Sequence, residues 1–234
     1  MKQIIALGGG GFSKEPENPL LDNYILKQSS SAKPKVCFIP TASGDSEGYI
    51  QRFYQAFEQL NCTASHLSLY KPPTLDIEDY IMDKDILYVG GGNTRNLVTL
   101  WKEWKLDQYI RSAYDSEIVL AGLSAGSICW FEEGVTGSLG VELSSLRALG
   151  FLQGSFCPHY DDESERRPSF HKLLESNQIG SGYAAADGVA FHYRDEEMYQ
   201  VVSSRPNALA YRVELVNHEA VDIPIKPIYL GETA

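Results

Sequence analysis

Long apolar runs, clustered cysteines and surplus positive charge are missing from this sequence of 234 residues, and each absence removes a class of function. There is no run of about 18 apolar residues, and Met1 leads directly into the apolar segment Ile4–Leu7 rather than into a basic region with a signal-like core. Neither a membrane span nor an export signal is expected, so a soluble, cytoplasmic chain is. The four cysteines, Cys37, Cys62, Cys129 and Cys157, lie far apart in apolar surroundings without C-x-x-C spacing, the pattern of buried free thiols. That leaves no basis for a zinc site or a disulfide framework, and no metal or cofactor is expected. Lys and Arg total 20 against 31 Asp and Glu, for a formal charge of −11. A phosphate backbone needs clustered cations, so nucleic acid is not an expected partner, and an acidic ligand would need a local positive pocket. The glycine run Gly8–Gly11 is followed by no G-K-[ST] and opens no G-x-G-x-x-G helix, so it reads as a tight turn at a sheet edge rather than a nucleotide loop.

The sequence does contain a regular alternation of short buried strands and amphipathic helices. Strands are predicted at Ile4–Leu7, Val36–Pro40, Ala64–Leu69, Asp85–Val89 and Ile118–Ala121. Helices are predicted around Leu20–Lys27, over Tyr49–Leu60 with Phe53, Phe57 and Leu60 on one face, and through Leu97, Leu100, Trp101 and Trp104. Strand–helix repeats of this kind imply one α/β domain over residues 1–234, with a mostly parallel, doubly wound sheet covered on both faces. The region from Phe131 to Gly154 is rich in glycine and serine, with room for a short hairpin. Ala184–Tyr193 reads as strand, Asp187-Gly188 tight turn and strand, and the segments after Met198 read as antiparallel additions at one sheet edge.

The densest chemistry lies in Glu117–Trp130. The run Ile118–Ala121 stops at Gly122-Leu123-Ser124-Ala125-Gly126, a G-x-S-x-G pentapeptide between a strand and a helix. In such a nucleophile elbow the glycines remove side chains that would collide where the backbone doubles back, and the serine hydroxyl is left at the sheet's C-terminal edge. The amide of Ala125 would face negative charge developing beside Ser124. Gly90-Gly91-Gly92-Asn93-Thr94, at the end of another strand, offers further backbone N–H groups at the same edge, with Asn93 capping the next helix. A serine needs a base, because its hydroxyl is not ionised at neutral pH, and the base needs a partner that fixes its tautomer. His159, at the end of a β-type segment and before a charged loop, is the first candidate, and His192, which ends a strand near Asp187, is the rival. His66 reads as a structural or surface histidine rather than a catalytic one. Asp187 is the first candidate for the acid, with Asp161, Asp162 and Glu163 as alternatives.

Together, Gly90–Thr94, Gly122–Gly126, Pro158-His159-Tyr160 and Ala186-Asp187-Gly188 resemble the peptidase E and cyanophycinase family of serine peptidases, over about residues 4 to 200. That resemblance implies a flavodoxin-like sheet related to class I glutamine amidotransferases, with Ser124 as nucleophile, His159 as general base and then acid, and Ala125 with Gly91 or Gly92 as oxyanion donors. Family members carry glutamate as the acid, and Asp187, one methylene shorter, matches the position. It also implies a small peptide as substrate, with an N-terminal aspartate held by Arg166 or Arg167 and Asn93 beside the cleft. Arg166 falls where the family has an arginine facing the substrate carboxylate. Pairing of Arg166 and Arg167 with Asp161, Asp162, Glu163 and Glu165 is the competing use of that charge. An esterase or amidase acting through Ser124 and a non-catalytic anion-binding module are the alternatives, and monomer and homodimer both stay open.

Overall fold

The computed structural model describes residues 1–231. Its 14 strands form two sheets. The first contains β1 (Gln3–Leu7), β2 (Lys35–Ile39), β3 (Thr63–His66), β4 (Ile86–Val89), β5 (Val119–Leu123), β10 (Val189–Arg194), β11 (Glu197–Ser203) and β14 (Ile228–Tyr229), in the order β14-β11-β10-β1-β5-β4-β2-β3. From β1 to β3 the pairing is parallel, whereas β10 and β11 join antiparallel. In chain order, β2 to β5 take the places of the first four strands of a flavodoxin-like sheet, and β1 takes the fifth.

Alternate residues of these strands bury against different layers, which is why the strands read as continuous apolar runs. Ile5, Leu7, Val36, Phe38, Ile86 and Tyr88 pack with α1 (Gly11–Lys14), α2 (Leu20–Leu26) and α3 (Glu47–Phe57) through Phe12, Leu21, Ile25, Phe53 and Phe57. Ile4, Ala6, Cys37, Ile39, Leu87 and Val89 face the other way, against α4 (Ile77–Met82), α5 (Thr94–Glu103), α6 (Leu106–Asp115) and the second sheet. Trp101 on α5 stands 6.2 Å from Trp130 in this layer.

The second sheet comprises β6 (Phe131–Thr136), β7 (Ser144–Arg147), β8 (Leu152–Cys157), β9 (Gly182–Ala185), β12 (Ala210–Val216) and β13 (Glu219–Ile225), in the order β13-β12-β9-β8-β6-β7. Its outer face is covered by α8 (Arg166–Glu175) through Phe170, Leu173 and Leu174. The hairpin expected after Phe131 is the antiparallel pair β6–β7. The antiparallel additions near the end of the chain divide between the two sheets, with β10 and β11 in the first and β12 and β13 in the second.

Two local readings are corrected. The glycine run after β1 lies inside a sheet, not at its edge, because β1 is flanked by β5 and β10. Asp187-Gly188 joins no hairpin, because β9 and β10 belong to different sheets and the turn between them is a crossing. Cys37, Cys129 and Cys157 are buried free thiols and Cys62 is half-buried, with burial pushing the thiols of Cys37 and Cys157 up to about 12. Among the described residues no helix is long and apolar enough to cross a membrane.

Candidate active site

Three chain reversals converge where the two sheets meet. The first is the turn from β5 into the short helix α7 (Ala125–Ile128), where Ser124 adopts φ 54° and ψ −115°, a conformation that L-residues rarely hold. The flanking glycines are required by space. A Cβ on Gly122 would stand 2.1 Å from the Gly126 carbonyl oxygen, and one on Gly126 would stand 2.3 Å from the Val89 carbonyl oxygen. Small residues therefore let β4, β5 and α7 close on one another and push the Ser124 hydroxyl outward.

His159 follows β8, also at positive φ (56°), with its N–H bonded to the Gly8 carbonyl oxygen at 3.3 Å. Its Nε2 is 2.9 Å from Ser124 Oγ, and its Nδ1 is 2.5 Å from Asp187 Oδ1. An ionised carboxylate only accepts, so Nδ1 carries the proton and donates it, which leaves Nε2 to accept from the Ser124 hydroxyl. Asp187, in the crossing between β9 and β10, is 3% exposed. Burial pushes its carboxyl up, but hydrogen bonds and charge from His159 and Lys14 outweigh burial and bring it to about 2. Its own N–H donates to Asp162 Oδ2 at 2.6 Å.

His192, the rival base, is sequestered on β10. Its Nδ1 meets the Tyr24 hydroxyl at 2.5 Å and its Nε2 meets Gln3 Oε1 at 3.1 Å. Burial, with the nearby Arg194 charge, brings its imidazole down to about 4. Two of the alternative acids have other partners, since Asp161 meets Arg167 and Glu163 meets Arg166. Asp162 stands behind Asp187 rather than in its place. His66 Nδ1 meets the Tyr54 hydroxyl at 2.8 Å.

A cleft of about 320 Å³ opens beside Ser124, lined by Gly92, Asn93, Thr94, Thr136, Ser138 and Arg166 among others. Asn93 caps α5 by accepting from the Asn96 N–H at 2.9 Å. The Gly91 N–H is already given to the Tyr49 hydroxyl at 3.2 Å, whereas the Gly92 and Ala125 amides make no hydrogen bond among the described residues. Of the glycine donors expected, Gly92 is therefore the available one. Arg166, 8% exposed, donates from Nε to Glu163 Oε2 at 2.7 Å and from Nη1 to the Val135 carbonyl oxygen at 2.9 Å. Those bonds fix the guanidinium plane and leave Nη2 without a partner among the described residues. Burial pushes the Glu163 carboxyl up, but the bond from Arg166 outweighs it and holds the group below its ordinary value.

Arg167 is not among the residues lining this cleft. Its guanidinium bonds to Asp161 and Asp222 and lies 4.5 Å from the ring centres of Tyr160 and Tyr211, so it fastens the second sheet to α8. Two groups not anticipated from the sequence also meet Asp187: Lys14, which donates to Oδ2 at 2.7 Å, and the glycine loop that packs on the carboxylate. A Cβ on Gly9 would fall 1.9 Å from Asp187 Oδ1. A run of glycines at a strand's C-terminal end was the available signal.

Residues 4–201 match peptidase family S51. An uncharacterised peptidase of Bacillus subtilis, YgaJ, is 59% identical over 231 residues, covering 99% of this chain and 100% of its own. Peptidase E of Shewanella amazonensis is 32% identical over 158 residues, covering 64% of this chain and 65% of its own. Among solved structures, a peptidase from an acI-B1 actinobacterium superposes with a TM-score of 0.69 at 20% identity, over 97% of this chain and 95% of its own, a likeness of fold.

Proposed function

Because the chain belongs to peptidase family S51, we propose that it is a serine peptidase acting on short peptides through an acyl-enzyme, with a preference for an N-terminal aspartate. The observation that carries the reading is the unbroken line from Ser124 Oγ to His159 Nε2 (2.9 Å) and from His159 Nδ1 to Asp187 Oδ1 (2.5 Å). In this reading Ser124 Oγ attacks the scissile carbonyl carbon as its proton passes to His159 Nε2. The tetrahedral oxyanion is met by the amides of Gly92 and Ala125. His159 then gives the proton to the leaving nitrogen, the C–N bond breaks, and water activated by the same imidazole releases the acyl group from Ser124. Asp187 keeps the imidazole in the tautomer that can accept and stabilises its charge once it has accepted.

A volume of about 320 Å³ beside Ser124 is of the size that holds a few residues of peptide. The aspartate preference is supported by Arg166, a guanidinium held rigid at the cleft wall with no partner for Nη2 among the described residues, able to meet a carboxylate by a charge-assisted bond. Dipeptide hydrolysis tests the specificity, and fluorophosphonate labelling of Ser124 tests the chemistry. Equal kcat/KM for Asp-Leu and Ala-Leu rejects the aspartate preference. A wild-type protein that takes no label, under conditions that label other serine hydrolases, rejects the nucleophile.

A further inference from the structure

We propose that Lys14 is a positioning residue for the Ser124–His159–Asp187 line, holding Asp187 by its second oxygen and keeping His159 uncharged until the serine proton arrives. The inference rests on reading that line as hydrolytic machinery. The carboxylate of Asp187 is divided, with Oδ1 to His159 Nδ1 at 2.5 Å and Oδ2 to Lys14 Nζ at 2.7 Å. Lys14 Nζ also stands 3.5 Å from His159 Nδ1. Nδ1 already carries the proton given to Asp187, so both groups at that short separation are donors and no bond joins them. An ammonium there opposes any positive charge placed on the imidazole.

Lys14 has a solvent-facing alternative, since its side chain is 46% exposed, yet it is turned inward onto a carboxylate that is 4% exposed. Its backbone explains how. Lys14 ends α1, and α1 begins in the glycine loop that packs on Asp187, so the cation and the loop approach the acid as one piece. The other charged groups facing the site are matched among themselves. Asp162 accepts the Asp187 N–H and faces Arg205 Nη1 at 3.2 Å, Arg205 Nε bonds Glu15 Oε1 at 2.5 Å, and Glu163 bonds Arg166. This arrangement leaves Asp187 to be balanced by Lys14 and His159.

Removing the ammonium makes protonation of the imidazole easier, both directly and by freeing Asp187 to act on His159 alone. The base is then occupied by a proton at higher pH, so the acid limb of the reaction moves up. The experiment is the rate of fluorophosphonate labelling between pH 4 and 9 for wild type, Lys14→Met and Lys14→Arg, which needs no knowledge of the substrate. The expected result is an acid limb displaced upward by about one pH unit in Lys14→Met and returned toward wild type in Lys14→Arg. A limb in Lys14→Met that coincides with wild type, or moves downward, overturns the proposal, because a lysine that only props the loop changes rate or Tm without moving the limb. The ¹⁵N shifts of the His159 ring, followed over the same range in both proteins, read the same displacement without any nucleophilic step. Wild-type protein whose ring titrates but which takes no label refutes the hydrolytic reading, and the ring titration then decides the role of Lys14 separately.

Discussion

Replacing Gly9 by alanine adds a single methyl group and tests how finely Asp187 must be placed for the proposed chemistry. The added Cβ would lie 1.9 Å from Asp187 Oδ1, 2.8 Å from Asp187 Cγ and 2.8 Å from His159 Cε1. Carbon and carboxylate oxygen in contact normally stand about 3.3 Å apart or more, so the carboxylate or the loop must retreat by over about 1 Å. Neither has space to do so freely. Asp187 is tied through Oδ1, Oδ2 and its N–H, and the loop is tied through Gly8 N–H to Val189 O at 2.9 Å and Gly188 N–H to Gly9 O at 3.1 Å. Overpacking of this kind costs about 1–3 kcal/mol of stability, a loss an α/β chain of this size tolerates. A misplacement of about 1 Å in a reacting constellation costs about 100-fold in rate. Gly9→Ala is therefore expected to remain folded, with Tm lowered by several degrees, while labelling of Ser124 and peptide turnover fall by about two orders of magnitude. Labelling within about threefold of wild type in a folded Gly9→Ala protein would refute the claim that this loop sets the acid's position.

Ser124→Ala should abolish labelling outright, and Asp187→Asn should lower kcat by about 10³–10⁴ with little change in KM, because the amide favours the wrong tautomer of His159. A kcat for Asp187→Asn within tenfold of wild type would remove Asp187 from the mechanism. Arg166→Ala should reduce the ratio of Asp-Leu to Ala-Leu turnover by about tenfold or more, the worth of one charge-assisted bond, and an unchanged ratio would assign Arg166 to Glu163 alone. Asp22, 2% exposed, has its carboxyl pushed up to about 7 by burial, against bonds from the Tyr88 hydroxyl and the Phe12 amide. Its unfolded value is near about 3.9, so between those limits the folded state holds a proton that the unfolded chain has lost, and stability falls as pH rises through that window. Asp22→Asn should thus gain on wild type by on the order of 2–4 kcal/mol between pH 4 and 8, read as a Tm difference that widens with pH. A difference that stays constant would show that Asp22 does not titrate in that range.

The turn that carries Ser124 was legible because a strained strand-to-helix turn leaves a local signature: Gly122 is needed because of Gly126, four residues on, and Gly126 because the turn closes on Val89 of the neighbouring strand. His159 and Asp187 were legible more weakly, as polar residues at the ends of apolar segments, and burial of His192 between Gln3 and Tyr24 is what separates it from His159. What was not legible depends on pairings remote in sequence. The place of β1 beside β10 brings Gly9 and Lys14 to Asp187, a contact across more than 170 positions. The second sheet is built from strands of four to seven residues of which only β8 and β9 are joined by a helix, and its last two strands follow an excursion of the chain through β10 and β11 of the first sheet, so the strand–helix rhythm that announced the first sheet is largely missing. Arg166 and Arg167 adjoin in sequence, yet one turns to the cleft and the other to Tyr160 and Tyr211, because neighbours on a helix point about 100° apart.

The crossing turn that carries Asp187 also sets an order in time. Ser124 leaves the ribosome first, while the strand that presents His159 and the passage from β9 to β10 are still unmade. On the proposed reading, a growing chain bears an ordinary alcohol at Ser124 until Asp187, the last of its partners, arrives and the two layers are stitched together.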